Sequence, residues 1–246
     1  MGVRWVEFSG RMYAGKDYVA KAMVGYLLDA GCSVWKTAYA WKLKELIRKH
    51  FGVTKTGFDG GVGFLKSSMS AEQGAKNCIT DLREICLGLY DENPAENLRV
   101  ADFDVILETI RDMHTNKIES ADGARRILQN FGTEVVRNKI VPTFWVDYLA
   151  AEIEKVRDAL DFVIVTDRRF HNELLDPESY LVQVQTTIET RSRRSGVSVE
   201  KLREQAAHQS EIHCDELETQ YIINNEPDGG DFLPDFQKIF RGRMAI

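Results

Sequence analysis

The spacing of apolar and polar positions changes several times along the 246-residue chain, and each change marks an expected element. Residues 3–9, VRWVEFS, alternate enough to predict a strand. Over 15–30, Val19, Met23, Leu27 and Ala30 recur at helical spacing, and Gly31 is placed to cap that helix. SVWKTAYA (33–40) predicts a second strand, and WKLKELIRKHFG (41–52) a helix that stops at Gly52. DFVIVTD (161–167) is almost wholly apolar, which predicts a strand covered on both faces. YLVQVQT (180–186) and TQYIINNE (219–226) predict two more strands, and helices fill most of 81–157. Strands separated by helices imply an α/β fold with a parallel sheet flanked by helices. Residues 54–80 have another texture: Gly57, Gly60, Gly61, Gly63 and Gly74, with Ser67, Ser68 and Ser70, predict a surface insertion.

Composition narrows the classes. The chain is 43% hydrophobic and 28% charged, with only five prolines, as expected of a packed domain. The net charge is −6, which argues against a DNA-coating surface but leaves room for a local basic pocket. No apolar run reaches the length of a membrane span. Glu7 interrupts the only apolar stretch at the N-terminus, which therefore does not read as a signal peptide. Cys32, Cys78, Cys86 and Cys214 form no C-x-x-C pair, so reduced cysteines in a cytoplasmic protein are expected.

The most informative stretch is EFSGRMYAGKDYVAKAM (7–23). Gly10 is followed by Arg11, Met12, Tyr13, Ala14, and then by Gly15 and Lys16. A strand, a glycine turn and a helix form the setting of a phosphate-binding loop. Backbone N–H groups line the turn, and the helix N-terminus adds partial positive charge. Lys16 is placed to reach the β- and γ-phosphates. A Ser or Thr would normally follow the lysine and reach the metal; here Asp17 follows, and then Tyr18. A carboxylate cannot donate to phosphate, but it can hold Mg²⁺ directly or through water, or favour the helix dipole.

Three further segments carry charge in suggestive places. ADGARRILQNFGTEVV (121–136) sets Arg125 and Arg126 ahead of Gly132-Thr133, and a guanidinium fork suits a phosphate. VIVTDRRFHNE (163–173) puts Asp167 at the carboxyl end of a central strand, where ligands bind in open α/β sheets. Arg168 and Arg169 follow, and Glu173 would clamp Arg169 if a helix began there. The polar segment 187–211 carries Arg191, Arg193 and Arg194, as a basic lid over phosphates would, and His208 and Glu211 as lid or hinge contacts. Each of these also reads as a solvated surface. Trp145, in PTFWVDYL, reads as a core aromatic or as a base-stacking ring.

In order, the loop ending Gly-Lys-Asp, RRILQNFGTE, FWVDYL, VTDRRFHNEL and HQSE…YIINNE resemble the phage-type deoxynucleoside monophosphate kinases, a branch of the P-loop nucleoside monophosphate kinases. The resemblance spans pieces from residue 5 to about 226. It implies a single kinase domain with a core of about 1–53 and 158–246, a helical substrate-binding insertion of about 54–157, and a lid of about 187–211. It implies transfer of the γ-phosphoryl group of ATP, with Mg²⁺, to a deoxynucleoside monophosphate. Residues 10–17 would hold the ATP phosphates, with Tyr18 standing where the family has Thr or Ser. Arg125, Arg126, Gly132, Thr133, Trp145, Arg169 and Glu173 would form the monophosphate site. Lys44 falls where the family places a lysine near it, although Lys42 replaces the usual proline. Lys16, Arg125, Arg126, Asp167 and Arg169 would be catalytic. The resemblance also implies a homodimer, and neither DNA nor membrane is an expected partner. A nucleotide-binding switch or accessory NTPase module, and a P-loop kinase for another small phosphorylated acceptor, are the alternative readings.

Overall fold

A computed structural model describes residues 2–53, 70–115, 117–118, 120–207, 209–226 and 231–241. The chain divides into two compact units, Met1–Tyr39 with Glu152–Ile246, and Ala40–Ala151.

The first unit is built on five strands: β1 (Arg4–Ser9), β2 (Val34–Thr37), β3 (Phe162–Val165), β4 (Tyr180–Gln185) and β5 (Tyr221–Asn224). They pair in the order β2-β3-β1-β4-β5, with every neighbour parallel. The fold is therefore α/β, a P-loop kinase-type parallel sheet flanked by helices. β1 lies at the centre, with Val6 opposite Ile164 of β3 on one side and Tyr180 of β4 on the other. Parallel neighbours need crossovers, and helices supply them. Helix α1 (Lys16–Asp29) follows β1 and buries Val19, Ala20, Met23 and Leu27 on the sheet, the spacing its sequence predicts. Gly31 adopts φ 78 just past its end. All four residues of β3 are buried, as an apolar run without alternation requires. One core joins Val6, Phe8, Met23, Leu27, Phe162, Ile164, Val182 and Ile223 with Phe236 and Phe240 near the C-terminus.

The strands are shorter than the sequence suggests, because pairing stops where register partners run out. The 33–40 segment keeps only Val34–Thr37 as strand, and 161–167 only Phe162–Val165. This shortening matters at the carboxyl edge. It frees residues 10–15, 38–39, 166–175, 186–187 and 225–226 as loops on one side of the sheet. From β1 the chain passes to β2 on one flank, while β4 leads to β5 on the other. The loops after β1 and β4 therefore diverge, which is where open α/β sheets place ligands.

The second unit is helical. Helix α2 (Trp41–Phe51) ends at Gly52, whose φ of 68 supplies the expected left-handed cap. The predicted surface insertion 54–80 meets two fates. Residues 54–69 lie outside the described residues, whereas 71–80 form the start of a helix, Ala71–Leu89. The Ser70 hydroxyl caps it by accepting the Gln73 N–H at 3.1 Å. Gly74, counted as loop in the sequence, faces the His50 carbonyl so closely that a Cβ would collide with it. It is glycine for contact with α2, not for mobility. That packing, with His50 Nε2 2.8 Å from the Asp81 carboxylate, ties α2 to this unit. Helix Ser120–Gln129 runs directly into a π-helical stretch, Asn130–Arg137. Aromatic rings hold the interior: Phe103 against Phe131 at 5.7 Å, and Phe144 edge-on to Trp145 at 4.9 Å. Among the described residues no helix is long and apolar enough to cross a membrane.

Candidate active site

The loop between β1 and α1 has a backbone that few sequences tolerate. Gly10 has φ 136 and Gly15 has φ 86. A Cβ at Gly10 would run into the Val184 carbonyl of β4, and one at Gly15 into the Asn225 side chain. Both glycines are needed for conformation and for room. Between them Tyr13 takes φ 62, a left-handed conformation costly for a bulky residue, and such strain collects at ligand-binding loops.

Lys16 lies at the start of α1 and folds back into the loop. Its ammonium donates to the Gly10 carbonyl at 2.7 Å and the Arg11 carbonyl at 3.1 Å. Only 9% of the residue is exposed. Burial, and then the like charge of Arg169, pull its pKa down to about 8, against which the Glu211 and Asp167 carboxylates act. Lys16, Arg169, Asp167 and Glu211 therefore share one field at the carboxyl edge of the sheet.

The segment after β3 supplies the second part. Arg169 is half-buried and donates to Glu211 Oε1 at 2.6 Å. Arg168 turns the other way and is structural. It donates to the backbone carbonyls of Glu173 at 2.8 Å and Glu218 at 2.9 Å. The sequence left open which arginine enters the site; the geometry sets Arg169, not Arg168, beside Glu211 and in the field of Lys16. It also corrects the role of Glu173. No helix begins there, and Glu173 Oε2 accepts the backbone N–H groups of Arg169 at 2.5 Å and Phe170 at 3.1 Å. Glu173 fixes the turn that carries Arg169 rather than its guanidinium. Asp167 accepts the Tyr39 N–H at 2.6 Å, joining the ends of β2 and β3.

Beneath this segment lies Glu7 of β1, fully buried. It accepts from the Tyr39 hydroxyl at 2.8 Å, the Ser179 hydroxyl at 2.8 Å and the Leu175 N–H at 3.0 Å. Burial raises its pKa, and those hydrogen bonds oppose the rise. Sequence reasoning saw Glu7 only as a charge in an apolar strand. That oddity was the signal, because a carboxylate in a central strand has to be satisfied by something.

The polar 187–211 segment becomes helix Ile188–Ser195, a break at Gly196, helix Val199–Gln205 and a turn of helix Gln209–Ile212. The first is capped by Thr187 and anchored by Glu226, which accepts the Thr190 hydroxyl at 2.8 Å and the Thr187 N–H at 2.6 Å. Of the three arginines of this segment, two reach the glycine loop. Arg191 donates to the Met12 carbonyl at 3.5 Å and Arg194 to the Ala14 carbonyl at 3.4 Å, while Arg193 stands exposed. His208 lies outside the described residues. Asn225 and Asp215, which sequence reasoning missed, also hold the loop. Asn225 donates to the Ala14 carbonyl at 2.8 Å, and Asp215 takes Nη2 of Arg11 at 2.5 Å. Its place near the carboxyl end of the strand predicted over 219–226 was the only signal for Asn225, which the structure sets just past β5.

Asp17 and Tyr18 face elsewhere. Asp17 is exposed and pairs with Lys36 of β2 at 2.8 Å. The Tyr18 ring lies edge-on to Phe232, 5.9 Å between centroids, and is 65% exposed. Neither side chain turns into the loop that Lys16 occupies.

Within the second unit, Arg125 is half-buried and Arg126 exposed on the same helix. The π-helical stretch carries Gly132 and Thr133, and the Asn138 N–H reaches five residues back to the Thr133 carbonyl. Trp145 is buried and donates its indole N–H to the Gly132 carbonyl at 3.1 Å. A Cβ at Gly132 would press on Leu43 at 3.0 Å. Lys44 is exposed on α2, and Lys42 pairs with Glu45 at 2.9 Å.

Comparison with known proteins adds a family. The family model described as deoxynucleotide monophosphate kinase matches residues 65–190. No curated protein matches the chain. Among solved structures, the crystal structure of TT1252 from Thermus thermophilus is similar at 13% identity. The match covers 96% of this chain and 94% of that one, with a TM-score of 0.41.

Proposed function

This chain belongs to the deoxynucleotide monophosphate kinase family, and from that premise we propose that it transfers the γ-phosphoryl group of ATP to a deoxynucleoside 5′-monophosphate, giving ADP and the deoxynucleoside diphosphate. The observation that carries the reading is Lys16, a buried ammonium held by two loop carbonyls and sharing its field with Arg169. A cation so placed is costly without an anion to meet, and a triphosphate is the anion such a loop accommodates.

The chemistry asks for little covalent help. Two anions must approach in line, and the migrating group is strongly negative, so positioning and charge neutralisation do most of the work. Gly10 to Lys16 take the ATP phosphates, the loop amides and the α1 N-terminus facing their oxygens. Lys16 neutralises the β- and γ-oxygens. Arg169 meets the migrating group, held at its post by Glu173 through the backbone and by Glu211 through the side chain. Arg191 and Arg194, already against the loop, close it to water, which would otherwise hydrolyse ATP. In the second unit Arg125, Arg126 and Lys44 take the acceptor phosphate, and Gly132 and Thr133 line its site. Trp145 contributes by holding the Gly132 carbonyl.

ATP-dependent kinases of this kind work with Mg²⁺, and the residues present fit it. Mg²⁺ takes hard oxygen ligands and keeps several waters, and Asp167 offers a carboxylate in the field of Lys16. Asp167 is the residue proposed to hold it, with Asp17 left to Lys36. When bound, the ion neutralises phosphate charge. The same reading takes the enzyme as a cytoplasmic homodimer, which light scattering after size exclusion tests.

The functional test is an ADP-release assay with ATP and Mg²⁺. Each of dAMP, dCMP, dGMP and dTMP, and the matching ribonucleotides, is offered to the wild type and to Lys16→Ala. ADP and a deoxynucleoside diphosphate appearing together, and lost in Lys16→Ala, establish the reaction and its base range. Folded protein that binds ATP and turns over no acceptor favours a nucleotide-binding switch instead.

A further inference from the structure

One carboxylate links the glycine loop to the arginine that follows β3. Glu211 lies in the helical turn Gln209–Ile212 and is 5% exposed. Its Oε2 accepts the Met12 N–H at 2.9 Å, and its Oε1 accepts Arg169 Nη1 at 2.6 Å. Four residues on, Asp215 takes Arg11 through Nη2 at 2.5 Å and Nε at 3.1 Å, both on the same oxygen. The 211–215 segment thus grips residues 11 and 12 of the loop and Arg169 at once.

We propose that Glu211 is a positioning residue for phosphoryl transfer: it sets the loop amide of Met12 and the guanidinium of Arg169 in one register, so that a phosphate seated in the loop meets Arg169 in line. The inference deepens the kinase reading and rests on it. Three observations argue for it. A carboxylate has two acceptor oxygens, and here each serves a different part of the site. Lys16 and Arg169 are like charges close enough to act on each other, and Glu211 stands within reach of both fields. Burial works against its ionisation, but the Arg169 charge and the Met12 N–H outweigh that and hold its carboxyl below the usual range. An amide in its place supplies one acceptor, and its NH₂ end then opposes a donor.

The contrary role is also definite. A carboxylate bonded to a loop N–H and a guanidinium imitates a phosphate oxygen, so Glu211 would compete with ATP, and its removal would tighten binding. The two roles predict opposite signs. The experiment compares Glu211→Gln, Glu211→Asp and Glu211→Ala in the full chain, with Arg169→Ala and the double variant Glu211→Gln/Arg169→Ala. Misplacing a catalytic group by about an ångström typically costs about 10²-fold, and that is the expected fall in kcat for Glu211→Gln, with the KM for ATP little changed. Glu211→Asp should recover part of the rate, and the double variant should be no slower than Arg169→Ala alone. A second readout needs no turnover: amide hydrogen exchange in the peptide containing Met12 should quicken in Glu211→Gln. Wild-type kcat in Glu211→Gln, tighter ATP binding without loss of rate, unchanged exchange at Met12, or an effect fully additive with Arg169→Ala would each overturn the proposal. A wild type inactive on every deoxynucleotide sinks the kinase reading and with it the role in transfer, whereas an active wild type with unchanged exchange at Met12 in Glu211→Gln sinks the positioning role alone, so the two failures are told apart. The isosteric Gln and the shorter Asp keep the test open if Glu211→Ala does not fold.

Discussion

Asn225, just beyond the end of β5, donates its side-chain amide to the Ala14 carbonyl 211 residues away, at 2.8 Å. The same side chain fills the space that a Cβ at Gly15 would need. The last strand of the sheet therefore sets the shape of the first loop. Replacing Asn225 with Ala removes the main partner of a buried carbonyl, a loss of about 1–3 kcal/mol. Urea unfolding should show that loss, and ATP titration should show weaker binding. Equal stability and affinity would mean that Arg194, 3.4 Å from the same carbonyl, suffices alone.

Lys16 makes the ligand-free protein less stable at neutral pH. Its folded pKa, about 8, lies below the ordinary 10.5. Below pH 8 both the folded and unfolded states carry the proton, and the cost of the buried charge is fully present. Between about 8 and 10.5 the unfolded state binds more protons, so stability rises with pH across that window. Lys16→Met should therefore raise the melting temperature at pH 7, by the equivalent of up to about 3 kcal/mol less the two carbonyl bonds it forfeits. The advantage should shrink as pH passes 8, and calorimetry across pH checks both. The same variant should lose phosphoryl transfer.

Arg168 and Arg169 are adjacent yet should fail differently. Arg168→Ala strips the Glu173 and Glu218 carbonyls and exposes Glu7, 3.9 Å away, as a buried carboxylate short of a cation. Such a loss costs about 3–5 kcal/mol, seen as a lower denaturation midpoint. Arg169→Ala also takes a cation from a buried carboxylate, Glu211, and should lower the midpoint by up to about 3–5 kcal/mol, but it alone of the two should drop kcat by about 10³-fold or more, as for other arginines that meet a migrating phosphoryl group. Near-normal turnover in Arg169→Ala would remove it from the mechanism.

The two aspartates divide in the same way. Asp17→Asn breaks an exposed pair with Lys36, which is worth less than about 1 kcal/mol, and should alter turnover only a few-fold. Asp167→Asn should raise the Mg²⁺ concentration needed for half-maximal rate. Magnesium titration of the two variants separates them, and the reverse pattern would return the metal to Asp17.

Trp145 tests the second unit. Trp145→Phe keeps the ring packed against Phe144 but loses the bond to the Gly132 carbonyl. A cost of about 1 kcal/mol is expected, with a higher KM for the deoxynucleotide and little change in that for ATP. An unchanged deoxynucleotide KM would make Trp145 a core residue only.

The sequence by itself determined the alternation of strand and helix, the glycine loop and its lysine, and the choice of Asp167 as a residue at a strand end. These are local properties. An apolar period, a turn that demands glycine, and an ammonium one residue into a helix are written in consecutive positions. The direction each side chain takes is not local. Arg168 and Arg169 are the same residue type one step apart, and only the Glu218 carbonyl and the Glu211 carboxylate, more than 40 positions on, send them opposite ways. Gly74 read as loop because its reason for being glycine is the His50 carbonyl on another helix. Asp17 and Tyr18 stood in the loop by position, but Lys36 and Phe232 draw their side chains outward. Tertiary structure decided these because a parallel sheet gathers the ends of strands distant in sequence along one edge, and the buried charges there must find their partners across the chain.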